Sequence, residues 1–242
     1  MKSKKRILNQ PAWILHYKNF SDSSNILDVF TRDYGRVSLI AKGGRSVKSK
    51  FRGMLRPFVL LNISWFSRSN LGTLMDTEIQ EKPISLAGDT LLSAYYINEL
   101  LIKLLYKDDP QDEIFCLYTK TIEELSKIED IAPLLRHFEM ELLRLIGYGL
   151  NLDEVKKTEL PINPLLFYEY KPEIGLIEVR KKRGGMIFSG AQIEGIRRKD
   201  FDCKEILKCA NQLLRNIIAH HLGNRQLNTR KVIEGLRVYE QQ

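Results

Sequence analysis

The chain has 242 residues, of which 43% are hydrophobic, and its formal net charge is +8. This length and apolar fraction are typical of one large or two small globular domains with a sizeable core. No apolar run approaches the roughly 18 residues of a membrane span, and no signal-peptide pattern follows the charged N-terminus, so we expect a soluble, unexported protein. Three cysteines, Cys116, Cys203 and Cys209, do not make a disulfide framework, and we interpret them as reduced thiols.

The positive charge is concentrated in the first third of the chain. Residues 1–80 hold 14 Lys and Arg against 5 Asp and Glu, whereas residues 81–242 hold 24 against 25. Such an asymmetry indicates one domain that meets a polyanion and a second domain with another task.

The first third has the pattern of a small β-barrel. Short β-branched and aromatic runs alternate with polar, glycine-containing turns, and five such strands in about 80 residues are typical of a barrel. The periodicity fits an OB fold and an SH3-like barrel almost equally. The predicted strands are Ala12–Tyr17, Asn25–Thr31, Arg36–Ala41, Phe58–Phe66 and Leu71–Glu81.

The period becomes helical after Pro83, which marks the predicted domain boundary. We predict an α+β protein with a barrel over residues 1–82 and a mainly helical domain over 83–242, with a small β insertion at about 151–188. Within that insertion, Leu165–Tyr170 and Leu176–Arg180 predict a hairpin. The first predicted helix ends near Lys107, and the next two begin at Asp109 and at Pro133. A later helix begins at a capping box formed by Asp202 and Glu205, and a last short helix begins at Thr229.

The segment between the third and fourth strands carries the strongest functional signal. It is rich in cations, contains no acid, and includes glycines that let the backbone approach a ligand closely. Such a loop on a barrel edge can neutralise several phosphates without selecting a sequence. The alternative is a solvated loop with no partner. The predicted DNA-binding residues are Lys42, Arg45, Lys48, Lys50, Arg52 and Arg56, with Arg36 before them and Arg68 after them.

Nearby aromatic residues are candidates for stacking on the exposed bases of a single strand. Phe51, Trp65 and Phe66 are the closest in sequence. Because Trp65 and Phe66 alternate on one strand, at least one of them is expected in the core.

Other basic runs and the candidate catalytic residues give weaker signals. Arg180–Arg183 and Arg197–Lys199 lie in a region of balanced charge, so whether they touch DNA stays open. The sequence has no phosphate-loop ending, no His-Glu-x-x-His and no nucleophile elbow. The adjacent His220 and His221 point in different directions on a helix. We therefore expect no enzyme activity, no cofactor, no metal and no small-molecule substrate.

Five segments together resemble the RecO family of bacterial recombination mediators and DNA repair proteins. They are LDVFTRDYGRVSLIAKGGRSVKS (27–49), LRPF (55–58), YINELL (96–101), LRHFEMELLRLIGYGLNL (135–152) and HLGNRQLNTRKV (221–232). The resemblance implies an N-terminal OB fold and a helical C-terminal domain. It also implies a cytoplasmic, nucleoid-associated protein that binds single- and double-stranded DNA and anneals complementary strands without ATP. Its implied partners are RecR, the single-strand-binding protein and, indirectly, the RecA recombinase.

Two details of the resemblance concern particular residues. Many members carry four zinc-binding cysteines after the Gly-Tyr-Gly segment, whereas residues 152–160 here are LDEVKKTEL, so the chain resembles the branch without metal. In relatives the helical domain binds the acidic, Phe-terminated tail of the single-strand-binding protein. A pocket for that tail needs an apolar hole beside a cation, and we expect Arg136 as the cation with Tyr96 and Leu100 lining the hole.

Two other functions stay open at this point. A protein-binding adaptor would use the helical domain and leave the basic loop to RNA or to no ligand. A nuclease would cleave labelled DNA in magnesium or manganese.

Overall fold

The computed structural model describes residues 5–67, 70–153, 155, 160–180, 185–223, 225–229 and 232. The protein is α+β, as predicted, and it divides into two compact units, Met1–Ile128 with Leu227–Gln242, and Glu129–Gln226. We call them the barrel unit and the helical unit. The barrel unit contains β1 (Lys5–Phe20), β2 (Ser24–Thr31), β3 (Gly35–Ala41), β4 (Leu60–Ser67), β5 (Leu71–Ile79), α1 (Gly88–Leu104) and α2 (Asp112–Leu125). The helical unit contains α3 (Ile131–Leu145), β6 (Phe167–Lys171), β7 (Gly175–Val179), β8 (Ile187–Ser189), α4 (Gly190–Arg197) and α5 (Lys204–Leu222).

The five predicted strands are present and form a closed barrel in the order β1-β2-β3-β5-β4. The strand β1 pairs antiparallel with both β2 and β4, and a short parallel pairing of β3 with β5 completes the ring. The strand β1 is longer than the sequence pattern predicts. Its register shifts between Ile7 and Gln10 and again between Ile14 and His16, and such bulges let one long strand bend around the barrel.

The helices α1 and α2 cover the outer face of β1 and β2. Trp13 and Phe30 point out of the barrel and are fully buried beneath α2, where Phe30 packs on Phe115 and Tyr118. The Trp13 Nε1 atom donates a 2.9 Å hydrogen bond to the Thr119 hydroxyl. The predicted boundary at residue 82 separates strands from helices along the chain, whereas the compact unit continues through α2.

A close backbone approach holds the connection between α1 and α2 on the barrel. Gly35 has φ of +63°, and a Cβ atom there would lie 1.9 Å from the Asp109 carbonyl oxygen. The Asp108 amide donates to the Arg36 carbonyl at 2.9 Å. Only glycine fits this position without displacing the connection.

The returning C-terminal segment is fastened to α1 by Glu99. Its carboxylate accepts hydrogen bonds from the backbone amides of Asn228 and Thr229 at 2.8 and 2.9 Å, and it pairs with Lys103 at 3.1 Å. Two segments that carried the family resemblance, YINELL and HLGNRQLNTRKV, are therefore joined in the structure. Most of the helix predicted from Thr229 lies outside the described residues.

The helical unit contains the predicted hairpin as β6 and β7, with β8 added on the other edge of β6. The helix α4 follows β8 directly and begins at a capping box formed by Ser189 and Gln192, which the sequence analysis did not predict. The predicted capping box at Asp202 and Glu205 is wrong, because the N-cap of α5 is Cys203, whose side chain forms no capping hydrogen bond. Among the described residues, no helix is both long and apolar enough to cross a membrane.

Candidate nucleic-acid interface

The cationic segment between β3 and β4, residues 42–56, forms a folded loop that we call the basic loop. Consecutive turns run along it, with backbone hydrogen bonds from Ser46 to Gly43, from Ser49 to Ser46 and from Arg52 to Ser49. These local bonds satisfy the backbone within the loop and leave its long side chains to point outwards.

An apolar anchor attaches the basic loop to the barrel. The ring of Phe51 is only 5% exposed and belongs to the barrel core, and Met54 and Leu55 pack against the same core. The loop therefore closes one end of the barrel and presents its cations from a fixed base.

The six predicted cations of the basic loop are all exposed, and they lie together on this one segment. Lys50 forms an ion pair with Asp76 at 3.1 Å, with both side chains 61% exposed. The guanidinium of Arg45 donates to the Ser21 carbonyl at 3.2 Å, which leaves its charge unneutralised. Among the described residues, no carboxylate pairs with Lys42, Lys48, Arg52 or Arg56, so most of the loop's charge is available to a polyanion.

Arg36 has a different environment from the loop cations. It is buried, and its guanidinium forms two bonds to the Asp28 carboxylate, at 3.2 and 2.8 Å. Its Nη1 atom donates to the carbonyls of Ile102 and Leu105 at the end of α1. This arginine therefore neutralises a carboxylate and caps a helix. Arg68, the other flanking cation, lies outside the described residues.

Two of the three predicted stacking residues lie in the barrel core. Trp65 is 2% exposed, which confirms that at least one of Trp65 and Phe66 lies in the core, and Phe51 anchors the loop. Neither ring offers a face to a ligand, so both are corrected as stacking candidates. Phe66 is half-buried. The sequence analysis missed two exposed aromatic residues, Tyr17 and Phe20, on the hairpin formed by β1 and β2. Phe20 lies beyond the predicted end of the first strand at Tyr17, and both aromatic residues are far from the basic loop in sequence.

The comparisons with known proteins agree over nearly the whole chain. The family described as Recombination protein O N terminal matches residues 4–82, and the family described as Recombination protein O C terminal matches residues 86–231. The chain belongs to the RecO family. The two descriptions, together with the relatives' name DNA repair protein RecO, place this family in DNA repair and recombination.

Individual RecO relatives are similar to the chain over almost their full length. The DNA repair protein RecO of Tolumonas auensis is 38% identical over 223 residues, which cover 92% of this chain and 93% of that protein. The protein of the same name from Coxiella burnetii strain CbuG_Q212 is 38% identical over 229 residues, covering 95% and 99%. That of Nitrosospira multiformis is 35% identical over 235 residues, covering 96% of each.

The second basic cluster of this RecO-family chain is largely neutralised. Arg197 pairs with Glu194 at 2.7 Å and with Asp153 at 3.3 Å, and Arg198 pairs with Glu194 at 2.8 Å. Lys199 lies 3.8 Å from Glu141. Of the run Arg180–Arg183, Arg180 is exposed, and residues 181–183 lie outside the described part of the chain.

The residues predicted for a peptide-tail pocket are all buried. Arg136 belongs to the helical unit, where its guanidinium contacts Glu139 and Asn211. Tyr96 and Leu100 belong to the barrel unit and face its interior from α1. In this RecO-family chain, Arg136 thus already has a carboxylate partner.

The two adjacent histidines of α5 contact different neighbours. The ring of His221 stacks on Tyr148 with centroids 3.8 Å apart, and burial lowers the pKa of His221. The Nε2 atom of His220 lies 3.1 Å from the Glu173 carboxylate. Tyr148, Glu173 and His221 border a cavity of about 320 Å³ beside the β6–β7 hairpin. Within the described part of the chain, no three or more His, Cys, Asp or Glu side chains are placed to hold a metal ion.

Proposed function

We propose that this RecO-family chain is a non-enzymatic recombination mediator that binds single- and double-stranded DNA and anneals complementary strands without ATP. We further propose that it acts with RecR to load the RecA recombinase onto DNA coated by single-strand-binding protein. The barrel is proposed to be an OB fold, and the strand order β1-β2-β3-β5-β4 supports that assignment.

The observation that carries this proposal is the set of exposed cations on an anchored loop. Six Lys and Arg side chains occupy residues 42–56, and Lys50 is the one that has a carboxylate partner among the described residues. Charges held on a folded loop bind phosphates at a smaller entropic cost than charges on an unfolded segment. The proposed contacts of the basic loop are with phosphates and not with base edges, so the protein is expected to bind all sequences.

Strand annealing follows from the same charges. Two separated strands repel each other as polyanions, and a protein that neutralises phosphates on both lowers this repulsion and raises their local concentration. Base pairing then supplies the driving force. The protein needs no nucleotide hydrolysis for this step.

A contact with the tail of the single-strand-binding protein would bring this activity to coated DNA. We retain Arg136 of the helical unit as the proposed cation for that tail, whereas Tyr96 and Leu100 are buried inside the barrel unit. Because Arg136 is buried against Glu139, an incoming carboxylate has to compete with Glu139 for the guanidinium. Binding of the tail is therefore expected to require a local rearrangement around Arg136.

The decisive experiment reverses charge in the basic loop at three positions whose side chains form no ion pair with a described residue. We compare the triple variant Lys42→Glu, Lys48→Glu, Arg52→Glu with a control of equal net charge, Lys127→Glu, Lys204→Glu, Lys208→Glu, whose positions are also exposed. Fluorescence anisotropy with labelled single strands and duplexes is measured across a salt series. The loop variant should lose about tenfold or more in affinity near 0.1 M salt, and its salt slope should fall by about 2 on single strands.

Three outcomes would overturn the proposal. Retained affinity in the loop variant would place the DNA elsewhere, and an equal loss in the control would mean that net charge alone sets the affinity. Absence of binding by the unmodified protein at low salt would favour an adaptor. Incubation of labelled strands with magnesium or manganese completes the test, because a mediator leaves the strands intact and a nuclease cuts them.

A further inference from the structure

The hairpin of β1 and β2 places one exposed aromatic ring on the inner face of the barrel sheet. Tyr17 lies directly opposite Leu27 in the register, and Leu27 belongs to the barrel core. Opposed residues of an antiparallel pair share a face, so Tyr17 lies on the core side of the sheet. Tyr17 is nevertheless 43% exposed, because this stretch of β1 extends past the end of its pairing with β4 at Trp13.

The same face borders the basic loop. Two residues after Tyr17, Asn19 pairs with Asn25 of β2, and Asn25 pairs with Ala41 of β3. The basic loop begins at the next residue, Lys42. The loop then returns to the barrel core through Phe51, on the core side of the sheet. The ring of Tyr17 and the loop cations therefore lie on the same side of the hairpin.

Hydrogen bonds fix the loop to the tip of the hairpin. The Arg45 amide donates to the Ser23 carbonyl at 2.9 Å, and the Arg45 guanidinium donates to the Ser21 carbonyl at 3.2 Å. These bonds hold Arg45 against the tip of the hairpin that carries Tyr17.

Phe20 is a natural internal control on the same hairpin. It is 47% exposed, close to the value for Tyr17. It is three residues from Tyr17, and successive side chains of a strand alternate between faces, so Phe20 lies on the outer face, away from the loop. The two rings thus differ mainly in which side of the hairpin they occupy.

We propose that Tyr17 is a base-stacking residue, against which a nucleobase of single-stranded DNA packs while the basic loop holds the adjoining phosphates. This inference rests on the proposed function, because it requires DNA at the basic loop. An exposed aromatic ring beside unneutralised cations suits a single strand, whose bases present their faces. Duplex DNA keeps its bases stacked inside, so Tyr17 separates the two forms whereas the loop cations serve both.

The experiment compares Tyr17→Ala with Phe20→Ala, using an oligothymidylate, an abasic strand of equal length and a duplex. Tyr17→Ala should weaken binding to the oligothymidylate by about 5- to 100-fold, the range for one stacked base, without changing the salt slope. The abasic strand and the duplex should bind this variant as they bind the unmodified protein. Tyr17→Trp should retain the affinity, and its tryptophan emission should be quenched by the oligothymidylate.

Each contrary outcome has a definite meaning. Equal losses on abasic and normal strands would overturn stacking, and a loss with Phe20→Ala as large as with Tyr17→Ala would overturn the assignment to the inner face. Unchanged affinity in Tyr17→Ala would overturn the inference and leave this face to a protein partner. The proposed function fails separately, when the Lys42, Lys48 and Arg52 variant keeps its affinity for all three DNAs.

Discussion

The protein carries two groups of cations in very different settings. In the basic loop, Lys50 is the cation with a carboxylate partner among the described residues, whereas Arg197, Arg198 and Lys199 of the helical unit each have one. Both groups look alike in the sequence as short runs rich in Lys and Arg. The difference teaches that the supply of nearby acids, more than the number of cations, decides which surface is left to bind a polyanion.

The carboxylate of Glu194 neutralises much of the charge of Arg197 and Arg198 in the helical unit. It accepts hydrogen bonds from Arg197 and then from Arg198, and these lower the pKa of Glu194 to about 2. The carboxylate therefore stays ionised across the physiological range. Asp76 of β5, by contrast, pairs with the single cation Lys50 of the basic loop among the described residues.

The largest effect is expected for a cation whose neutralisation is complete. Arg36→Leu should lower the free energy of unfolding by about 3–5 kcal/mol, because it leaves the Asp28 carboxylate without its buried partner. Urea unfolding measures the change. The double variant Arg36→Met, Asp28→Leu should recover much of it. The triple loop variant should stay within about 0.5 kcal/mol of the unmodified protein. A loss below about 1 kcal/mol for Arg36→Leu would overturn this structural role.

An intermediate case is Glu99, whose carboxylate serves both Lys103 and the backbone of the C-terminal segment. Burial raises the pKa of Glu99, but hydrogen bonds from Thr229, Asn228 and Lys103 outweigh it, so the pKa in the folded protein lies below its usual value. Glu99→Gln should destabilise the fold at neutral pH by about 1–2 kcal/mol, because a neutral amide accepts weaker hydrogen bonds.

The pH dependence of this variant provides its control. A carboxylate with a lowered folded-state pKa stabilises the protein above its unfolded pKa, and that contribution disappears as the pH falls through the folded value. Thermal unfolding of the two proteins should therefore converge below about pH 4. A difference that stays constant down to pH 3 would mean that packing, rather than charge, explains the loss.

A smaller effect tests whether the ion pairs with Glu194 prevent Arg197 and Arg198 from binding DNA. Glu194→Gln should release much of the charge of Arg197 and Arg198 and raise DNA affinity about two- to fivefold at 50 mM salt, with no gain near 0.5 M. Anisotropy titrations at the two salt concentrations measure it. If the affinity does not change at low salt, Arg197 and Arg198 do not contact the DNA even when they are unpaired. Their ion pairs would then not be the reason that they fail to bind it.

The smallest effect is expected at the ion pair between Lys50 of the basic loop and Asp76 of β5. Asp76→Asn should release Lys50 and raise affinity about twofold at low salt, because both groups are well exposed and the pair is weak. The same titration measures this change, with Glu78→Gln on the same strand as the matched loss of an exposed acid. A tenfold gain would show that Asp76 is an important brake on binding.

Much of the fold could be predicted because alternation and glycine turns are local signals. The barrel strands, the β6–β7 hairpin and the exposed position of the basic loop all follow from them. The role of Arg36 could not be predicted in this way, because its partners come from other elements. Asp28 faces it only once β2 and β3 have paired, and the two carbonyls that it binds lie at the end of α1. The extension of β1 that carries Phe20 likewise lay beyond the predicted strand, because the register shifts of β1 break the simple alternation of faces.

The aromatic layer between α2 and the barrel has a practical consequence for dissecting the molecule. A fragment ending at residue 82 would expose Trp13 and Phe30, which are buried under α2 in the whole protein. Large contiguous apolar surface of this kind promotes aggregation. A truncated protein that retains α2 through Ile128 keeps that layer covered, but it loses the Asn228 and Thr229 amides that bond to Glu99, so the barrel unit is complete only with the segment that begins at Leu227.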